Sequence, residues 1–123
     1  MRFAAAICYV PDVTAAVKFY TDAFGLEPGF ADPGGTYATL QGEGGILAFA
    51  SPDNAPDTER ATDAPAGFEL WIEAEDVPSA YWHALEVGAQ DVHAPETKPW
   101  GQTVAYVRDP SGILVEIGSP VSG

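Results

Sequence analysis

The sequence predicts an α+β fold built from two βαβββ modules, and three internal matches carry that prediction. Asp12-Val13, with Ala16 behind it, recurs as Asp76-Val77 with Ala80, 64 residues later. Gly25 recurs as Gly88, and the string GGILAFASP at 44–52 recurs as SGILVEIGSP at 111–120. The order strand, Asp-Val helix start, glycine, hairpin is the same in both halves, the pattern expected of a duplicated supersecondary unit. The division that follows is a first module at 1–52, a linker at 53–66 and a second module at 67–123.

Taken in order, residues 3–10 read as the first strand, with Ala4, Ala6, Cys8 and Val10 on one face and Phe3, Ala5, Ile7 and Tyr9 on the other. Asp12 is placed to cap a helix that ends at Gly25, with Val13, Val17, Tyr20 and Phe24 as its apolar stripe. Residues 27–30, 36–41 and 46–50 read as strands separated by turns at Asp32-Pro33-Gly34-Gly35 and at 42–45. Residues 51–67 have proline and acid but no periodicity, as a linker does.

The second module repeats the scheme. Residues 68–74 alternate Phe68, Leu70, Ile72 and Ala74 against Glu69, Trp71 and Glu73. Asp76 caps the second helix, Pro78 sits in its first turn, and Gly88 stops it. Trp82 on that helix is expected in the helix–sheet core. Residues 89–93 read as an edge-like extended segment, and 95–101 as a loop. The chain closes on a hairpin, 103–108 and 113–117, around Asp109-Pro110-Ser111-Gly112. Its return strand puts Ile113, Val115 and Ile117 on one face, and Leu114, Glu116 and Gly118 on the other. A carboxylate in an otherwise apolar strand suggests that the second face lines something other than core.

Composition narrows the function classes. Eighteen acidic against five basic residues give a net charge of −13. Nucleic acid demands a basic stripe, and anionic membranes also repel such a chain. The charge permits a cationic small ligand, drawn by the field, and serves equally for solubility alone. No apolar run approaches the ~20 residues that span a bilayer, and the N-terminal apolar run stops at Pro11-Asp12, so the protein is expected in the cytoplasm. The single cysteine, Cys8, lies in an apolar strand and reads as a buried, inert thiol.

On these residues the whole chain resembles the glyoxalase / bleomycin resistance protein / extradiol dioxygenase (vicinal oxygen chelate) superfamily. The supporting motifs are the Asp-Val helix starts, the Phe24-Gly25-Leu26 helix end, Trp100-Gly101, and the hairpin Asp109-Pro110-x-Gly112-x-x-x-Glu116. The resemblance implies an open, curved mixed sheet around a cleft, usually within a dimer. It also implies a divalent metal held from the first and last strands of each half. Carried over, those ligand positions fall on Ala5, Glu69 and Glu116, and on Ala48 or, in an alternative register, Phe49. Two carboxylates without an imidazole make a poor transition-metal set. His83 and His93 lie elsewhere and read as surface or packing residues. No metal and no cofactor are therefore expected.

The expected site is a binding cleft. Trp71, Trp100 and Tyr106 supply flat walls, with Tyr9 and Tyr37 next, and Trp100 acts as a mobile wall. Glu69 and Glu116 supply charge, with Ala48 and Arg108 completing the set; Glu116 paired to Arg108 across the hairpin is the structural alternative. Aromatic faces with acids recognise planar or cationic ligands. The resemblance is closest to the metal-free, antibiotic-binding branch. It implies a non-catalytic homodimer that sequesters an aromatic or cationic natural product and so gives drug resistance. The alternative is a metal-dependent lyase, isomerase or dioxygenase with a reduced ligand set.

Overall fold

Every strand of the fold follows from where its backbone hydrogen bonds go, and in this computed structural model they go into two separate four-stranded sheets. The structure describes residues 1–55 and 65–121, which fall in two compact units. The first holds β1 (Ala6–Tyr9), α1 (Val13–Phe24), β2 (Glu27–Ala31), β3 (Tyr37–Gly42) and β4 (Gly45–Ala50). The second holds β5 (Leu70–Glu73), α2 (Val77–Val87), β6 (Gln90–Thr97), β7 (Thr103–Arg108) and β8 (Leu114–Gly118). The sheet orders are β1-β4-β3-β2 and β5-β8-β7-β6. The α+β class and the βαβββ order are as predicted, and neither sheet closes into a barrel. Most of the predicted linker lies outside the described residues, apart from a 3₁₀ turn at Pro52–Asn54. Among the described residues no helix is long and apolar enough to cross a membrane.

In each sheet the last strand inserts between the first and the third. β1 runs parallel to β4 and β5 parallel to β8, whereas β3/β4 and β7/β8 are antiparallel hairpins. The parallel pair needs a crossover, and the helix supplies it. Both helices start where the sequence places them. Asp12 Oδ1 accepts from Ala15 N–H at 3.0 Å, and Asp76 Oδ1 from Ser79 N–H at 3.1 Å. Both stop on a glycine of positive φ, Gly25 at 71° and Gly88 at 120°.

The helix side of each sheet is the core. In the first unit Tyr20 stacks on Phe49 with centroids 5.1 Å apart, and Cys8, Leu40 and Ala38 are buried beside them. In the second, Tyr81 and Ala84 of α2 cover Val107, Val115 and Ile117. Full burial of one such aliphatic or aromatic side chain is worth ~1.5–3 kcal/mol.

Four expectations need correction. The ladders begin later than predicted, at Ala6↔Leu47 and Leu70↔Val115, so Ala5 and Glu69 stand just before their strands. The α1 stripe is rotated: Ala16, Phe19 and Ala23 are buried with Val13 and Tyr20, while Val17 and Phe24 are only half-buried. Trp82 is not core but 61% exposed. It stands about 100° round the helix from Tyr81, which takes the inward position. Finally, β6 runs through Pro95 to Thr97, where a loop was expected. β6 is an edge strand with register shifts on either side of His93, which is where a strand tolerates proline.

The turn that leads into β8 is Asp109–Gly112. Asp109 is only 3% exposed, and its Oδ1 accepts from Ser111 N–H at 2.8 Å and Ile113 N–H at 2.9 Å. Its backbone accepts from Gly112 N–H at 2.9 Å, and Gly112 takes φ 91°. Removing the carboxylate orphans two backbone donors at the head of β8. Asp109→Ala should therefore lower unfolding free energy by about 2–3 kcal/mol, and Asp109→Asn by less, since one acceptor remains. Urea unfolding of the two variants checks this; equal stability of Asp109→Ala and wild type would refute the account.

Candidate ligand-binding face of the second unit

Register decides what stands beside Glu116. On β8 it pairs with Trp71 of β5 on one side and with Tyr106 of β7 on the other. Paired residues share a face, so Trp71, Glu116 and Tyr106 form one row across three adjacent strands. This is the face opposite α2. Trp71 is 48% exposed, and Glu116 and Tyr106 are half-buried. The Tyr106 hydroxyl donates to Glu116 Oε1 at 3.1 Å.

The next row is built around a glycine. A Cβ on Gly118 would stand 2.8 Å from Trp71 Nε1, 3.1 Å from Gln102 Nε2 and 3.2 Å from Glu116 Oε2. Three polar side-chain atoms thus converge on the space that a side chain here would fill. The Trp71 indole donates to the Gly118 carbonyl at 3.2 Å. Gln102 donates from Nε2 to the Ser119 carbonyl at 2.9 Å and accepts from Trp100 Nε1–H at 2.9 Å. Trp100 itself is 63% exposed. The structure therefore brings Trp71, Trp100, Tyr106 and Glu116 together, through two residues not predicted for the site: Gln102 and Gly118. Gly118 was assigned to the correct face. Gln102 carried only one signal, its place two residues after Trp100.

Glu69 lies just before β5, close enough to Glu116 for the two charges to interact. Partial withdrawal of its carboxyl from water, and then the Glu116 charge, hold it above the usual carboxylate range. Tyr106 is pushed up to about 12 by burial first, then by its hydrogen bond to Glu116 and the charges of Glu116 and Glu69. The phenol thus stays a donor across the physiological range. Arg108 shares this face one row along, opposite Leu114, but its guanidinium donates to the Gly112 carbonyl at 3.1 Å. The Arg108–Glu116 pair considered from sequence is not formed. His93 is in register with Tyr106, yet its ring faces the Ala94 carbonyl and Glu96.

The first unit carries an equivalent row. Ile7, Ala48 and Thr39 form the row that corresponds to Trp71, Glu116 and Tyr106. Ala48, not Phe49, is therefore the counterpart of Glu116, and Phe49 lies in the core. Tyr9 and Tyr37 flank Ala50 in the next row, and the Tyr37 ring lies 6.3 Å from that of Phe30.

A metal does not fit the donor set. Glu69 and Glu116 are carboxylates, the corresponding first-unit positions Ala5 and Ala48 carry methyl groups, and no imidazole joins them. Among the described residues no three His, Cys, Asp or Glu side chains stand together as metal ligands. An open groove of about 520 Å³ lies on the other side of the second sheet, along Glu75, Asp76, Glu96 and Thr97. It contains none of the row residues.

Comparison with known proteins agrees with this architecture. The glyoxalase-related enzyme from Fulvimarina pelagi is 24% identical, with TM-score 0.84 over 98% of this chain and 88% of its own. TioX from Micromonospora sp. ML1 is 24% identical, with TM-score 0.76 over 97% and 98%. Lactoylglutathione lyase from Agrobacterium tumefaciens is 25% identical, with TM-score 0.70 over 96% and 92%. No curated protein matched the sequence. The family model for the Glyoxalase/Bleomycin resistance protein/Dioxygenase superfamily matches residues 2–117. With nearly the whole chain inside that match, and two βαβββ units behind it, the protein belongs to the Glyoxalase/Bleomycin resistance protein/Dioxygenase superfamily.

Proposed function

We propose that the chain binds a small aromatic or cationic natural product without transforming it, and gives drug resistance by sequestration. One observation carries this reading: Trp71, Glu116 and Tyr106 stand in register on three adjacent strands, with Trp100 tied in beside them through Gln102. An exposed indole beside a carboxylate offers a stacking surface and a counter-charge for a flat cation. Among the described residues the donor set supplies no cluster for a catalytic metal. The competing reading, a metal-dependent lyase or isomerase, is favoured by the likeness to the Agrobacterium lactoylglutathione lyase. It requires ligands that Ala5 and Ala48 do not offer. The proposed assembly is a cytoplasmic homodimer.

Calorimetric titration against a panel of aromatic and cationic antibiotics tests the reading directly. Trp71→Ala should weaken a planar ligand about ten- to hundred-fold, the equivalent of ~1–3 kcal/mol. Glu116→Gln should weaken a cationic ligand more than a neutral one, and added salt should narrow that difference. A ligand recovered chemically altered would make the protein an enzyme.

Metal content separates the two readings independently. Protein purified without added metal should hold well under one equivalent of Zn, Ni, Fe or Mn. A stoichiometric metal that is lost in Glu116→Ala would reverse the assignment.

The raised pKa of Glu69 sets the pH dependence. While Glu69 holds its proton it offers no charge; once ionised it attracts a cation. Affinity for a cationic ligand should therefore rise with pH as Glu69 loses its proton, in a range displaced upward from that of an ordinary glutamate, and then level off, with proton release accompanying binding at the low end. A neutral ligand should show no such slope, and Glu69→Gln should flatten it for the cation. A slope that survives in Glu69→Gln would show that another group is responsible.

A further inference from the structure

We propose that Gln102 is the positioning residue of this face: its side-chain amide fixes the Trp100 indole beside Trp71, so that both tryptophans are preset before a ligand arrives. The inference rests on the binding reading of this face, and it replaces a mobile Trp100 with a fixed one.

Gln102 is only 7% exposed, on a face whose other polar residues are open or half-open. Both ends of its amide are used. Oε1 accepts from the Trp100 indole, and Nε2 donates to the Ser119 carbonyl at the end of β8. Only an amide offers an acceptor and a donor in this fixed geometry. Trp71 is tied to the same stretch of backbone through the adjacent carbonyl, that of Gly118. Its indole nitrogen and the Gln102 amide nitrogen both approach the Gly118 Cβ position. Two large rings are thus fastened to consecutive peptide units, one directly and one through Gln102, above a residue that has no side chain.

The loop that carries Trp100 does not need this amide to keep its backbone shape. Lys98 N–H donates to the Gln102 carbonyl at 2.7 Å, Gly101 N–H donates to the Lys98 carbonyl at 2.9 Å, and Gly101 takes φ 94°. Loss of the Gln102 side chain should release the ring and leave the turn in place. An indole held in place loses less entropy on stacking, so positioning appears as affinity.

The test reads the three indole N–H groups by ¹⁵N NMR, which needs no ligand. In wild type the Trp100 indole N–H should exchange with water at least ten-fold more slowly than that of exposed Trp82. Its heteronuclear NOE should match that of the backbone. Gln102→Met keeps the volume and removes both hydrogen bonds, so Trp100 exchange should rise at least ten-fold while Trp82 stays unchanged. Gln102→Glu keeps the acceptor, and most of the protection should remain. Unprotected Trp100 in wild type, or unchanged protection in a folded Gln102→Met, would overturn the proposal. Proflavine, a planar cation, then serves as the binding probe. Gln102→Met should lose as much affinity as Trp100→Ala, about ten-fold, and the double variant no more. Full proflavine affinity in Gln102→Met with a loss in Trp100→Ala would also overturn it. Failure of wild type to bind proflavine would count against the binding reading alone, since the indole measurement stands without it.

Discussion

Everything on the candidate face depends on how β8 is held. It is hydrogen-bonded to β5 on one side and to β7 on the other, so its register fixes three strands at once. A slip of one residue would turn Glu116 into the core and Ile117 out of it. The turn at Asp109–Gly112 sets that register at the start of the strand, and the core residues Val115 and Ile117 hold it along the strand. The row of Trp71, Glu116 and Tyr106 is a consequence. It is assembled by backbone pairing and core packing that involve none of its own functional atoms.

The electrostatics of the face follow from what is missing as much as from what is present. Arg108 stands on the same side, yet its charge is spent on the Gly112 carbonyl. Glu116 is left with a neutral donor, Tyr106, and a like-charged neighbour, Glu69. Withdrawal from water acts first on both neighbours and this field second: the phenol is held to its proton and the carboxyl is made less acidic. A chain of net charge −13 adds a long-range field of the same sign. On the binding reading proposed above, such a site would favour positive charge in a ligand, and the exposed indoles would favour flat surface.

How much of this was legible in the sequence divides along a physical line. Caps, helix ends and the strand alternation are local, so Asp12, Asp76, Gly25, Gly88 and the two faces of β8 were readable from neighbouring residues. The choice between Ala48 and Phe49 as counterpart of Glu116 was not, because hairpin similarity and strand spacing differ by one residue there, and only the pairing Ile7↔Ala48 decides. Trp82 misled because size argues for burial while helical phase argues against it. Pro95 misled because a proline that breaks a central strand is harmless at an edge. Gln102 lay beyond reach for a different reason: its partner carbonyl on Ser119 is 17 residues away, and nothing local announces the bond.

The two units show how lightly this scaffold constrains its open face. The same row that carries Trp71, Glu116 and Tyr106 in the second unit carries Ile7, Ala48 and Thr39 in the first. Strand order and helix crossover are alike in both. Substitution on the helix side would open a cavity or force repacking, at a cost of ~2–5 kcal/mol for a large residue cut to alanine. On the opposite side a methyl group stands where another copy has a carboxylate, and the sheet is the same. The backbone therefore determines where side chains can meet, and leaves free what they are. That separation explains how solved neighbours of low identity can share the fold of this chain. The binding proposed for this chain rests on a few open-face residues of the second unit, where such freedom lies.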